Sequence, residues 1–82
     1  MTYAIEIRKK AQRDFDAIPR ADAERISSRI MNLTHDLAGD IKRLKGVTPS
    51  YRLRVGDWRV LFEVEGSTVV IYRVLNRRDA YR

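Results

Sequence analysis

The pattern of apolar and polar positions changes period along the chain, and each change marks an element. Residues 3–7 alternate, with Tyr3, Ile5 and Ile7 on one side and Ala4 and Glu6 on the other, which predicts a half-buried strand. In KKAQRDFDAI the apolar Ala11, Phe15 and Ile18 fall at helical spacing, and Pro19 ends this short helix or opens the next. From Ala21 to Leu37 the positions Ala23, Ile26, Ile30, Leu33 and Leu37 step by threes and fours, the stripe of an amphipathic helix. So short a connection predicts an antiparallel helix hairpin. Residues 38–50 lose the period and carry Gly39, Gly46 and Pro49, so they read as a connector anchored by Leu44 and Val47. Three strand-like runs follow, 51–55, 58–65 and 68–75, joined by Gly56-Asp57 and Gly66-Ser67 with glycine first, as a type II′ turn prefers. The expected architecture is α+β: an N-terminal strand, the helix hairpin and a three-stranded antiparallel meander, with the helices on one face of the sheet.

A two-residue turn at Gly56-Asp57 fixes the pairing of the first two runs. Val55 then faces Trp58, Arg54 faces Arg59, Leu53 faces Val60, Arg52 faces Leu61 and Tyr51 faces Phe62. Tyr51, Leu53, Val55, Trp58, Val60, Phe62 and Val64 line the face that packs under the helices. Arg52, Arg54, Arg59 and Glu63 share the other, expected to be exposed. Like charges directly opposed across a sheet cost a few tenths of a kcal/mol to about 1 kcal/mol, and one glutamate does not neutralise three arginines. The run 68–75 is apolar on both faces, so its register and the face taken by Arg73 are not set by pattern.

Charge sharpens this picture. The chain has 82 residues, within the size of one domain (1–82), and a net charge of +6. Basic and acidic residues cancel up to Ile41, so the excess lies in residues 42–82. The helices are therefore read as scaffold. The excess comprises Lys42, Arg43 and Lys45 in the connector, the hairpin arginines, and Arg77, Arg78 and Arg82 in the terminal NRRDAYR. Arginine grips phosphate through a planar fork and stacks on bases, so a polyanion is the expected partner. Tyr81 beside this cluster is either a stacking ring or a C-terminal packing residue. Cysteine is absent, which excludes a disulfide framework and a thiolate zinc site. No apolar run has the roughly 20 residues of a membrane span, and MTYAIEIRKK lacks a signal-peptide core, so a cytoplasmic location without membrane contact is expected. No cluster has metal-ligand spacing and no phosphate-binding loop is present, so no metal or cofactor is expected. His35, late in the long helix, reads as solvated, and Trp58 as packing.

The run YRLRVGDWRVLFEVEGSTVVIYRVLNRRDAYR resembles the C-terminal half of the RelE/ParE superfamily, the toxins of bacterial type II toxin-antitoxin pairs. Chain length, N-terminal strand and helix hairpin agree with that likeness. The R-R-acid-x-Tyr ending is similar to RelE-type members, which cut messenger RNA in the ribosomal A site by 2′-hydroxyl attack on the adjacent phosphate. On that likeness Arg52 and Arg54 match the two basic strand residues of the active site, Arg59 the arginine after the turn, Arg78 the arginine after the last strand, and Tyr81 the C-terminal tyrosine. Lys42, Arg43, Lys45, Arg77 and Arg82 are expected to bind RNA around them. The best-known pattern has lysines where Arg52 and Arg54 stand. Arginine stays protonated, so these two do not serve as the general base. The resemblance implies a cognate antitoxin, the 70S ribosome and messenger RNA as partners, and operator DNA only through the toxin-antitoxin complex. Its alternatives are a ParE-like inhibitor that binds DNA gyrase, and an inactive relic that binds only antitoxin and operator DNA.

Overall fold

A computed structural model describes residues 2–37 and 39–80. The chain runs β1 (Ala4–Ile7), α1 (Lys9–Asp16), α2 (Arg20–Asn32), β2 (Ile41–Arg43), β3 (Tyr51–Val55), β4 (Trp58–Glu65), β5 (Thr68–Asn76) and α3 (Arg77–Ala80). The strands form one sheet in the order β1-β5-β4-β3-β2, with β1 parallel to β5 and the other pairs antiparallel. The α+β fold of N-terminal strand, helix pair and antiparallel strands is therefore present.

The β3–β4 register matches the sequence reading at all five pairs, from Tyr51↔Phe62 to Val55↔Trp58. Gly56 and Gly66 have φ of +59° and +61°, while no described non-glycine residue has positive φ, the sign pattern of a type II′ turn. One face of the sheet packs on the helices. Ala11, Ile18, Ile26, Ile30 and Leu33 meet Leu53, Val55, Val60, Phe62, Val69, Ile71 and Val74 in one buried cluster, flanked by Tyr51, Trp58 and Val64. Tyr51 and Phe62, directly opposed, stack with ring centroids 5.3 Å apart.

Three expectations change. The connector 38–50 is not all loop, because Ile41–Arg43 pairs with Tyr51–Leu53 and makes the sheet five-stranded. A three-residue strand with one half-buried apolar side chain leaves no alternation to read, and its charges suit an exposed edge. The long helix stops at Asn32 rather than Leu37. Its last turn is closed by Leu33 N–H donating to Ile30 O at 2.9 Å and Thr34 Oγ1–H donating to Met31 O at 2.7 Å, and just beyond it Tyr3 N–H donates to Thr34 O at 2.8 Å. In β5 the register slips: Phe62 faces Ile71 but Leu61 faces Arg73, leaving Tyr72 as an extra residue. The slip keeps both Ile71 and Val74 in the core, and it puts Arg73 opposite Leu61 on the other face.

Candidate functional site

The face of the sheet turned away from α1 and α2 is where the hairpin's charges emerge. Lys42 lies directly opposite Arg52, and Arg52 directly opposite Leu61, so β2, β3 and β4 place two cations and an apolar residue side by side. The loop after β2 folds over them. Together Lys42, Arg43, Leu44, Lys45, Val47, Thr48, Pro49, Arg52, Leu61 and Ala80 enclose a groove of about 820 Å³. Its floor and walls are largely apolar and its rim is cationic, a combination that accepts a base against the floor and phosphates at the rim.

The loop wall is held by Glu63. Its carboxylate accepts hydrogen bonds from Ser50 N–H at 3.0 Å and Ser50 Oγ–H at 2.8 Å. Burial pushes the Glu63 carboxyl up, but the bonds from Ser50 and Val64 and the charge of Arg43 outweigh it and hold the carboxyl below the usual carboxylate range. Glu63 thus shares the arginine face as expected, and its hydrogen bonds from Ser50 hold the loop.

Among the described residues, only part of the expected site lines one groove. Lys42, Arg43, Lys45 and Arg52 meet in the groove. Arg54 follows Arg52 on the same face, is 58% exposed at its side chain, and turns toward Asp40, with Nε 4.0 Å from Oδ2. Arg77 and Arg78 are exposed on α3, whose start is pinned by Arg77 N–H donating to Asp57 O at 2.7 Å. Tyr81 and Arg82 lie outside the described residues. His35 is exposed in the turn after α2.

Arg59 departs most from expectation. It faces Arg54 across the hairpin, but it is 5% exposed rather than open to solvent. Its Nη1–H groups donate back to Gly56 O at 2.8 Å and Trp58 O at 3.0 Å, and among the described residues its Nε has no partner. Alternation fixes the face from which a side chain leaves the sheet, whereas a long flexible arginine returns to the nearest open carbonyls, here those of its own turn. The guanidinium holds the turn on which α3 is pinned.

On the other side of β5, Asp14 organises the sheet edge. Its carboxylate accepts from Arg73 Nε–H at 2.8 Å, Arg73 Nη2–H at 3.1 Å and Val74 N–H at 2.9 Å. The hydrogen bond to Asp14 raises the Arg73 pKa against a smaller opposing effect of burial. Sequence reasoning missed this pair and also missed Leu61 as the groove floor. An aspartate amid charged helix residues gives no signal of a partner 59 positions away.

Comparison with known proteins bears on the family and the fold. Residues 5–81 match the family described as the ParE toxin of the type II toxin-antitoxin system, parDE. Toxin RelE3 of Methanocaldococcus jannaschii is 46% identical over 50 residues, a stretch that spans 61% of this chain and 57% of that protein. A RelE1 protein of the same organism is 31% identical over the whole chain and 98% of its own length. Among solved structures, the toxin-antitoxin complex of RelB and RelE from Methanococcus jannaschii superposes with a TM-score of 0.79 at 32% identity, covering 93% of this chain and 94% of that one. The chain belongs to the RelE/ParE superfamily of type II toxin-antitoxin toxins, and its relatives make it RelE-like.

Proposed function

We propose that this toxin is a ribosome-dependent endoribonuclease of the cytoplasm, cutting messenger RNA in the A site and held inactive by a cognate antitoxin of the RelB kind. The observation that carries the reading is the groove with a cationic rim and an apolar floor, a shape suited to one unpaired nucleotide and its phosphates. In this reading Arg52 and Arg54 grip the phosphate flanking the cut, and Arg78, exposed on α3, stabilises charge on the non-bridging oxygens. The 2′-hydroxyl attacks the adjacent phosphorus while the bond to the 5′-oxygen breaks, leaving a 2′,3′-cyclic phosphate and a 5′-hydroxyl end. The 2′-hydroxyl proton goes to a base that no described arginine supplies, so a ribosomal RNA group, water or Tyr81 completes the site, and the leaving 5′-oxygen takes up a proton from water to become the 5′-hydroxyl. Lys42, Arg43, Lys45, Arg77 and Arg82 hold the strand on either side. Operator DNA is bound only with the antitoxin.

The test is primer extension on a defined messenger RNA in a translating mixture, with Arg52→Ala and Arg54→Ala alongside. Breaks at A-site codons that fade in both variants are the expected result. Intact message at concentrations that still arrest growth would overturn the reading. It would favour the second one, a ParE-like inhibitor that binds DNA gyrase; the matched family is described as a ParE toxin, which favours that branch.

A further inference from the structure

The same face of the sheet carries a second groove, of about 460 Å³, lined by Arg8, Lys9, Lys10, Pro49, Tyr72 and Arg73. It adjoins the first. Pro49 lines both, and Arg73 is the direct strand partner of Leu61, the first groove's floor. The two hollows therefore make one track across the sheet from β2 to β5. Strands lie about 4.8 Å apart, so three spacings give a track of roughly 14 Å, room for more than one nucleotide.

The charges of this groove differ in availability. Arg73 is engaged by Asp14, whereas Arg8, Lys9 and Lys10 are exposed. The Arg8 guanidinium lies 3.9 Å over the centroid of the Tyr72 ring, the residue that the β5 slip displaces from regular pairing. A guanidinium backed by a ring on one side presents its other flat side outward, the geometry on which an unpaired base stacks.

We propose that the second groove is a binding subsite for the continuation of the same single-stranded RNA, with Lys9 and Lys10 taking phosphates and Arg8, backed by Tyr72, stacking on a base. The proposal rests on the RNA-cleaving reading and extends it by a residue set in a region whose overall charge is close to neutral.

The test is fluorescence anisotropy at low salt with end-labelled single-stranded RNAs of roughly three and roughly ten nucleotides, the longer one within the span of a single-strand site. The proteins are wild type, Arg52→Ala and the double variant Lys9→Gln/Lys10→Gln. Both lysines are exposed, so the double variant is expected to keep its melting temperature. It should bind the short RNA as wild type does and the long RNA several-fold more weakly. Losing two phosphate contacts at about 0.7 each should flatten the slope of log affinity against log salt by about 1.4. Equal binding of the long RNA by wild type and double variant overturns the subsite while leaving the first groove standing. A duplex that competes as well as the single strand also overturns it, because stacking on Arg8 needs an unpaired base. Wild type that binds neither RNA, with Arg52→Ala no different, overturns the subsite, while the RNA-cleaving reading stands or falls on the primer extension in the translating mixture.

Discussion

Replacing Asp14 with alanine removes three hydrogen bonds at once, two from Arg73 and one from Val74 N–H. β1 pairs with β5 only as far as Ile71, so beyond that point the carboxylate stands in for a missing strand. Val74 is 2% exposed, and its orphaned amide costs about 1 to 3 kcal/mol. The lost ion pair adds about 1 kcal/mol at most, because the Arg73 side chain is 40% exposed and can turn to water. The expected total is about 1 to 4 kcal/mol. In a domain of this size each kcal/mol moves the melting temperature by about 4 to 8 °C, so a fall of at least about 4 °C is expected. Asp14→Asn keeps an acceptor for Val74 N–H and should lose only about 1 kcal/mol. Thermal unfolding of the three proteins, with amide exchange at Val74 and Ile71, decides the matter: protection should fall at Val74 and persist at Ile71, whose place in the β1–β5 ladder is independent of Asp14. An alanine variant that melts within about 2 °C of wild type, or an asparagine variant as weak as alanine, would refute the reasoning.

Arg59→Ala should lower stability by about 1 to 3 kcal/mol, since two turn carbonyls lose a charged donor, and unchanged melting would contradict the clamp; amide exchange in α3 should quicken alongside. Trp58 packs against the core but is only half-buried, so Trp58→Ala is expected to cost about 2 to 3 kcal/mol in chemical denaturation, below the usual range for a fully buried ring. Glu63 has a carboxyl pKa depressed in the folded state, so its stabilising contribution is present above the unfolded value of 4.5 and is lost as pH falls through the folded one. The stability gap between wild type and Glu63→Gln should therefore hold steady near neutrality and shrink below pH 4.5; a gap that does not change with pH would contradict this.

The hairpin was legible because two independent signals agree there. A glycine-first turn fixes the pairing, and strict alternation fixes the faces, so the β3–β4 register could be written residue by residue. β2 lacked both signals. α2 ends early where Thr34 closes back on the Met31 carbonyl and Tyr3 of the N-terminal segment takes the Thr34 carbonyl, contacts that helical periodicity does not encode. The slip at Leu61/Phe62 lies in a strand that is apolar on both faces, where pattern is silent. The second groove joins the start of α1 to β5 and Pro49. Its basic run Arg8-Lys9-Lys10 is plain in the sequence, but the near-neutral balance of the helical half concealed that these charges meet an aromatic ring brought from Tyr72.

The crowding of arginine on the hairpin has a different resolution from the one that counting charges suggests. Arg54 and Arg59 are directly opposed, yet their guanidinium groups part: one turns toward Asp40 and the other folds into the carbonyls of its own turn. That pair is largely accommodated by the fold, so its repulsion argues only weakly for a ligand. The second opposed pair, Lys42 and Arg52, lies one register step toward the sheet edge, inside the groove and beside Arg43 and Lys45. Glu63, on the same face, accepts hydrogen bonds from Ser50 and holds the groove's wall. Lys42, Arg43, Lys45 and Arg52 line one groove, and cations gathered on one concave surface favour a polyanion there. The argument for a phosphate therefore belongs to the groove that these four residues line, and the turn arginine serves the fold through the carbonyls of Gly56 and Trp58.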